Sequence, residues 1–257
     1  MLDEYKTALV TGASRGIGEA FARQLAARGQ DLVLVARSRD RLEALAGELT
    51  ERHGAVVHIV IADLARPCAA ESVFAETERL GLEIDLLVNN AGFSKAGAFA
   101  ELPLEVQADM VRLNVNTLVE LTRLYLPAMR RRRRGGVINV GSNAAFQPVP
   151  RMAVYGATKA FVLSFSEALA AEVEGDGVRV MALCPGATDT EFWPIAGVWA
   201  ERRSRMPSPD DVVAAGLRAF ERGRWFYVHG LLNQVVALFA GRILPRWLVV
   251  RLAKRWL

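Results

Sequence analysis

The chain has 257 residues, 52% of them hydrophobic, with 32 basic against 28 acidic side chains and a formal net charge of +4. That length suits one α/β domain, and that apolar content excludes a disordered polymer. Seven Lys/Arg and no Asp/Glu lie from Arg222 onward, so the remainder is net −3 (25 basic minus 28 acidic), which excludes a whole-protein nucleic-acid footprint.

In chain order, Met1–Lys6 is acidic, carries no signal-peptide pattern and runs into an apolar strand, Thr7–Val10. A glycine-rich turn, Thr-Gly-Ala-Ser-Arg-Gly-Ile-Gly, follows at 11–18. Ile17, Phe21 and Leu25 recur every four residues on one helical face, with Gly29 as a stop. The strand Asp31–Ala36, the helix Arg41–Glu51 and the strand Ala55–Ile61 come next, the last ending at Asp63. The strand Ile84–Val88 ends in Asn89-Asn90-Ala91-Gly92. One long helix is expected over Leu104–Met129, then the strand Val137–Val140 and the helix Met152–Glu174. The strand Val178–Leu183 is cut by Pro185-Gly186; Pro209–Glu221 reads as a helix and Trp225–Val228 as the last strand.

Strands that are apolar throughout, separated by helices, predict an α/β fold: a parallel sheet of about seven strands with helices on both faces. Residues 1–229 form one catalytic domain in this reading, and 230–257 an apolar, basic extension. Ligands of such sheets bind beyond the carboxyl ends of the strands. Gly12, Arg37, Asp63, Asn90, Ser142 and Pro185-Gly186 all fall at those ends.

Gly12, Gly16 and Gly18 allow a tight turn and close approach of a pyrophosphate to a helix N-terminus, with Ser14 and Ile17 between them. Taken alone, the cluster also fits a purely structural turn. Arg37, where an acidic residue would hold ribose hydroxyls, suits a 2′-phosphate, with Arg15 joining it. This favours NADP(H) over NAD(H); the alternative is that Arg37 opens a solvated face with Arg39 and Arg41. Asp63, beside Leu64, either accepts a bond from the adenine amino group or caps the next helix.

Thr11–Gly18, Asn89–Gly92, Ser142, Tyr155-x-x-x-Lys159 and Pro185-Gly186-x-Thr188-x-Thr190 together resemble the short-chain dehydrogenase/reductase family. Such a resemblance, running from about Lys6 to Trp193, implies a Rossmann-type doubly wound sheet, a nicotinamide cofactor and a catalytic tetrad of Asn114, Ser142, Tyr155 and Lys159. Asn116 competes with Asn114, and the family pattern favours Asn114. An unperturbed phenol has a pKa near ~10, and a nearby ammonium favours its ionised form. The four-residue spacing puts Tyr155 and Lys159 on one helix face. Tyr155 would then donate a proton to a carbonyl oxygen, Ser142 would hydrogen-bond that oxygen, and Asn114 would hold a water leading to Lys159. Asn90, Ala91, Gly92, Tyr155, Lys159, Pro185, Gly186, Thr188 and Thr190 are expected at the cofactor. Asn89 is expected to tie neighbouring strands together.

His53, His58 and His229 do not cluster, so no metal is expected. Cys68 and Cys184 are too sparse for a disulfide framework and suit a reducing, cytoplasmic setting. The run Arg130–Arg134 reads as a solvated helix end favoured by the macrodipole. Phe192, Trp193, Ile195, Val198 and Trp199 point to a hydrophobic carbonyl or alcohol substrate. In the extension, Asn233, Gln234, Arg242 and Pro245 interrupt the apolar run, which argues against a spanning helix. Packing on the domain or on a second subunit of a homodimer or homotetramer is favoured over peripheral membrane contact. The leading reading is an NADP-dependent oxidoreductase acting on a carbonyl or secondary alcohol. The alternatives are a 3-oxoacyl-thioester reductase and a non-catalytic dinucleotide-binding sensor or scaffold.

Overall fold

The computed structural model describes residues 2–198 and 206–254, apart from the side chains of Asp3 and Arg242. Trp199, named above, lies outside the described residues. One parallel sheet of seven strands has the order β3-β2-β1-β4-β5-β6-β7. Its strands are β1 (Thr7–Thr11), β2 (Asp31–Ala36), β3 (Val57–Ile61), β4 (Leu86–Asn89), β5 (Gly135–Val140), β6 (Val178–Cys184) and β7 (Phe226–Val228). This is the doubly wound Rossmann-type sheet, and its strand order reverses between β1 and β4, where a crevice must open.

The central strands are apolar on both faces because each face is covered. Helices α1 (Gly16–Ala26), α2 (Arg39–His53) and α8 (Pro209–Glu221) bury Phe21, Leu25, Leu42, Leu49, Val212 and Phe220 against one side. Helices α3 (Ala69–Arg79), α5 (Thr117–Arg132) and α6 (Ala153–Val173) bury Val73, Leu121, Tyr125, Met129 and Leu169 against the other. The start of α8 is specified locally: the Ser208 hydroxyl accepts the Asp211 N–H at 3.1 Å and Pro209 takes the first turn. The short helices α7 (Phe192–Ala196), α9 (Leu231–Leu238) and α10 (Arg246–Ala253) complete the chain with α4 (Leu104–Val111).

Helices α7, α9 and α10 have no counterpart in the expected pattern, and two further elements depart from it. Helix α3 has no counterpart in it, because its inward face is Ala69, Ala70, Val73 and Thr77, small or hydroxylated rather than strongly apolar. The long helix expected over Leu104–Met129 is interrupted by a π-turn at Arg112–Asn116, which separates α4 from α5. Asn114 and Asn116 lie in that turn, where the wider hydrogen-bond spacing relaxes their poor fit to an α-helix.

The arginine run does more than end a helix in solvent. Arg130 donates to Asp176 at 2.6 Å, and Arg133, in the left-handed region, donates to the Gly175 carbonyl at 2.9 Å. Arg134 reaches Asp85 at 3.1 Å, and Arg132 lies 3.7 Å from the same carboxylate. Asp85 is 1% exposed and also accepts the Lys6 N–H at 2.8 Å, so it clamps the entries of β1, β4 and β5. Removing it takes the carboxylate partner from Arg134 and from the Lys6 N–H, while Arg132 keeps its bond to the Ile84 carbonyl at 2.9 Å. Asp85→Ala should lose about 3 kcal/mol of stability in urea unfolding; an unchanged midpoint would show that the clamp is dispensable.

Candidate active site

The chain leaves β1 through Gly12 (φ 65°) and Gly16 (φ 56°), both in the left-handed region that favours glycine. At Gly18 the demand is space: an added Cβ would lie 2.2 Å from the Gly12 carbonyl oxygen and 2.5 Å from Asn90 Nδ2. The start of α1 is thereby pressed onto the turn, presenting the N–H groups that a helix cannot bond internally. Asn90 closes the crevice from β4, donating to the Thr11 carbonyl at 2.8 Å, while the Thr11 hydroxyl accepts the Asn90 N–H at 2.9 Å.

One cavity of about 1110 Å³ runs along the carboxyl ends of the strands. One end is lined by Gly12, Ser14, Arg15, Gly16, Ile17, Arg37, Asp63, Leu64, Asn90, Ala91 and Gly92. Its other half is lined by Ser142, Tyr155, Lys159, Pro185, Gly186, Thr188 and Thr190. Gly18 and Asn114 stand behind this wall, Gly18 under the turn and Asn114 buried behind Gly92. A bare turn at a helix N-terminus, with two arginines at one end, fits the pyrophosphate and phosphate groups of an extended dinucleotide.

Arg37 is exposed at the end of β2 on the cavity wall. Arg15 is already paired, 2.7 Å from Glu191, and Arg41 shares the same carboxylate at 3.2 Å. Asp63 caps no helix: α3 begins at Ala69, and the Asp63 carboxylate accepts the Ala65 N–H at 3.2 Å within a local turn.

Tyr155 and Lys159, on the first turns of α6, are 8% and 6% exposed. Lys159 Nζ donates to the Val140 carbonyl at 2.7 Å and sits 5.8 Å from the Tyr155 ring centre. Desolvation pulls the Lys159 ammonium down to about 8. Desolvation also pushes the Tyr155 phenol up to about 12, against the opposing pull of its hydrogen bond with Ser142. Burial therefore outweighs the Ser142 hydrogen bond and favours the protonated phenol. Cys184, at the end of β6, is likewise raised to about 12 by desolvation and stays a thiol.

Asn114 uses its carboxamide on the neighbouring chain: Oδ1 accepts the Phe93 N–H at 3.1 Å, and Nδ2 donates to the Phe93 carbonyl at 3.0 Å and to Thr158 at 3.2 Å. It meets Lys159 across Gly92, whose absent Cβ would lie 2.9 Å from Asn114 Oδ1 and 3.6 Å from Lys159 Nζ. Asn89 ties strands together, donating to Asn139 at 2.9 Å and to Thr122 at 3.0 Å. Asn139 in turn donates to Ser166 on α6 at 2.9 Å, so the helix carrying Tyr155 is bonded to the centre of the sheet.

Phe192 and Trp193, read above as substrate-facing, lie on the cavity wall, and several further cavity residues escaped the motifs. Phe192 packs on Tyr155 with ring centres 5.6 Å apart, and the Trp193 indole N–H donates to the Thr188 carbonyl at 2.9 Å. Leu232, Asn233, Val236, Phe239, Leu244 and Leu252 of the C-terminal extension line the same cavity, as do Asn143, Val149 and Met152. Asn233 was legible only as a polar break in an apolar run.

The site is that of an oxidoreductase acting on CH–OH/C=O groups. A family model described as short chain dehydrogenase matches residues 6–197, and the chain belongs to that family. It is 36% identical over 215 residues to a very-long-chain 3-oxoacyl-CoA reductase of Anas platyrhynchos, covering 82% of this chain and 67% of that one. It is 38% identical over 182 residues to a 7beta-hydroxysteroid dehydrogenase of Collinsella aerofaciens, covering 71% and 68%. A short-chain dehydrogenase from Sphingobium yanoikuyae, solved in complex with NADPH, superposes with a TM-score of 0.84 at 36% identity, covering 98% of this chain and 94% of the other.

The packing at Gly18 yields a direct test. Gly18→Ala should weaken dinucleotide binding measured by fluorescence titration and lower stability by about 1–3 kcal/mol. Wild-type affinity in a folded variant would show that the turn does not shape the crevice.

Proposed function

We propose that the protein is an NADP(H)-dependent reductase of bulky, hydrophobic ketones, working reversibly on the corresponding secondary alcohols. The observation that carries this reading is a buried Tyr155 beside Ser142, on the wall of a cavity whose far half is apolar. Phe192, Trp193, Val149 and Met152 and the extension residues Val236 and Phe239 supply that half, which suits an extended aliphatic or polycyclic substrate.

Gly12, Ser14, Gly16, Ile17 and Gly18 would hold the pyrophosphate at the head of α1, and Asp63 and Leu64 would flank the adenine. Asn90, Ala91, Gly92, Pro185, Gly186, Thr188 and Thr190 would line the path of the nicotinamide half. Arg37, with Arg15, would bind the 2′-phosphate that distinguishes NADP(H) from NAD(H). When bound, the reduced cofactor supplies the hydride to the carbonyl carbon. Tyr155 donates its proton to the substrate oxygen, and Ser142 holds that oxygen by a hydrogen bond. Lys159, pinned to Val140, holds the ribose hydroxyls and stabilises the phenolate left behind. Asn114 braces the wall behind Lys159 and supports a water through which the proton is replaced.

The 36% identity to a 3-oxoacyl-CoA reductase favours a second reading, reduction of a 3-oxoacyl thioester, for which the apolar half would take the acyl chain. The extension then belongs to the catalytic unit as a wall of the substrate cavity. Its outer face leaves Leu231 81% and Trp247 61% exposed. Among the described residues no helix is long and apolar enough to cross a membrane. We assign that face to a second subunit of a homodimer or homotetramer, ahead of a membrane surface, and place the enzyme in the cytoplasm with no nucleic-acid partner.

With NADPH, turnover should be higher on bulky aromatic or long-chain ketones than on small polar ones, and a preference for the polar ketones would overturn the substrate assignment. Arg37→Ala should weaken NADPH binding about tenfold or more while leaving NADH binding unchanged. Equal losses for both dinucleotides would remove Arg37 from the 2′-phosphate site.

A further inference from the structure

Glu191 directly precedes α7, whose first residue, Phe192, packs on Tyr155 with ring centres 5.6 Å apart. On its other side Thr190 closes on the glycine turn: a Cβ added to Gly16 would lie 3.1 Å from Thr190 Cγ2. From this position the Glu191 carboxylate reaches two cations. Arg15, in the glycine turn, donates to it at 2.7 Å, and Arg41, on α2, donates to it at 3.2 Å. Arg15, Arg37 and Glu191 all line the large cavity. Arg41 lies instead on a second cavity of about 330 Å³, whose wall it shares with Arg15 and Glu191.

This triad bears on the dinucleotide. A guanidinium presents the same N–H fork to a carboxylate and to a phosphate. On Arg15, Glu191 therefore makes the kind of contact that the 2′-phosphate of NADP(H) would make. An incoming 2′-phosphate must either take Arg15 from Glu191 or lie beside a second anion on one guanidinium, where like charges repel. Either route lowers the net gain from the phosphate. NADH carries a hydroxyl in its place and leaves the Arg15–Glu191 pair intact. Arg41 gives the carboxylate another partner, away from the large cavity, so Glu191 stays paired when Arg15 turns to the phosphate. All three side chains are partly exposed, so solvent screens the pairs and the exchange involves a small free energy.

We propose that Glu191 is a selectivity residue for the cofactor: its carboxylate competes with the 2′-phosphate for Arg15 and so narrows the preference for NADPH over NADH that Arg37 and Arg15 create. The proposal rests on those two arginines being the 2′-phosphate site, and the test separates the two.

The measurement is the dissociation constant of NADPH and of NADH, each without substrate, by fluorescence titration at low ionic strength. Wild type is compared with Glu191→Gln, which keeps the shape of the side chain and removes its charge, and thermal unfolding is recorded alongside. NADPH should bind about fivefold more tightly to the variant, the size of one exposed ion pair, while NADH affinity stays the same. Unchanged or weaker NADPH binding would overturn the proposal. Equal tightening of both dinucleotides would also overturn it, because the carboxylate would then act on a part of the cofactor that the two share. In an Arg15→Ala background the same substitution should lose most of its gain. A full fivefold gain there would show that Glu191 acts as a general negative charge and not through Arg15, which contradicts the proposal. The underlying reading is checked on wild type with adenosine 2′,5′-bisphosphate against 5′-AMP. If the second phosphate adds no affinity, the arginines do not form a 2′-phosphate site, and that reading fails and takes the proposal with it.

Discussion

A buried ammonium bonded to a backbone carbonyl is the constraint around which this site is organised. Lys159 is 6% exposed, and its Nζ–Val140 bond of 2.7 Å joins α6 to the carboxyl end of β5. Burying a charge is costly unless its hydrogen bonds are met, and the cost is visible here as an ammonium pulled down to about 8. The same dry environment holds the neighbouring phenol up at about 12. Both groups therefore hold their protons near neutral pH.

Holding that pair in place requires a rigid floor, and the polar groups inside the sheet provide it. Asn89, Asn139 and Ser166 form a buried chain from β4 through β5 to α6. Asn90 and Thr11 close the crevice between β1 and β4, one strand away. At the opposite edge Asp85 clamps the strand entries with Arg134 and the Lys6 N–H. These groups are satisfied mainly by one another, so the strand ends keep a fixed register while the loops beyond them remain free to vary.

Much of this was legible in the sequence, for physical reasons. Apolar strands spaced by helices encode a covered parallel sheet, and the glycines of 11–18 encode a turn that admits no side chain at Gly18. Tyr155 and Lys159 share a helix face by simple periodicity. What the sequence did not show depends on residues brought together from far apart. Glu191 binds Arg15 across 176 positions, and Asn143 meets Asn233 across 90. The π-turn at Arg112–Asn116 was hidden because its flanks are good helix, leaving only two asparagines as a signal. The extension looked like an appendage because its apolar residues have no single helical stripe; in the fold Ala237 joins the cluster around Cys184, and Val236 and Phe239 turn to the cavity.

The central claim is that Tyr155 is the proton donor of the reaction and not a structural phenol. Replacing it by phenylalanine keeps the ring that packs on Phe192 and removes only the hydroxyl. The decisive measurement is single-turnover ketone reduction by Tyr155→Phe, with NADPH affinity determined separately. The account predicts undiminished NADPH binding and a loss of turnover of at least about a hundredfold. Wild-type turnover in that variant would contradict it.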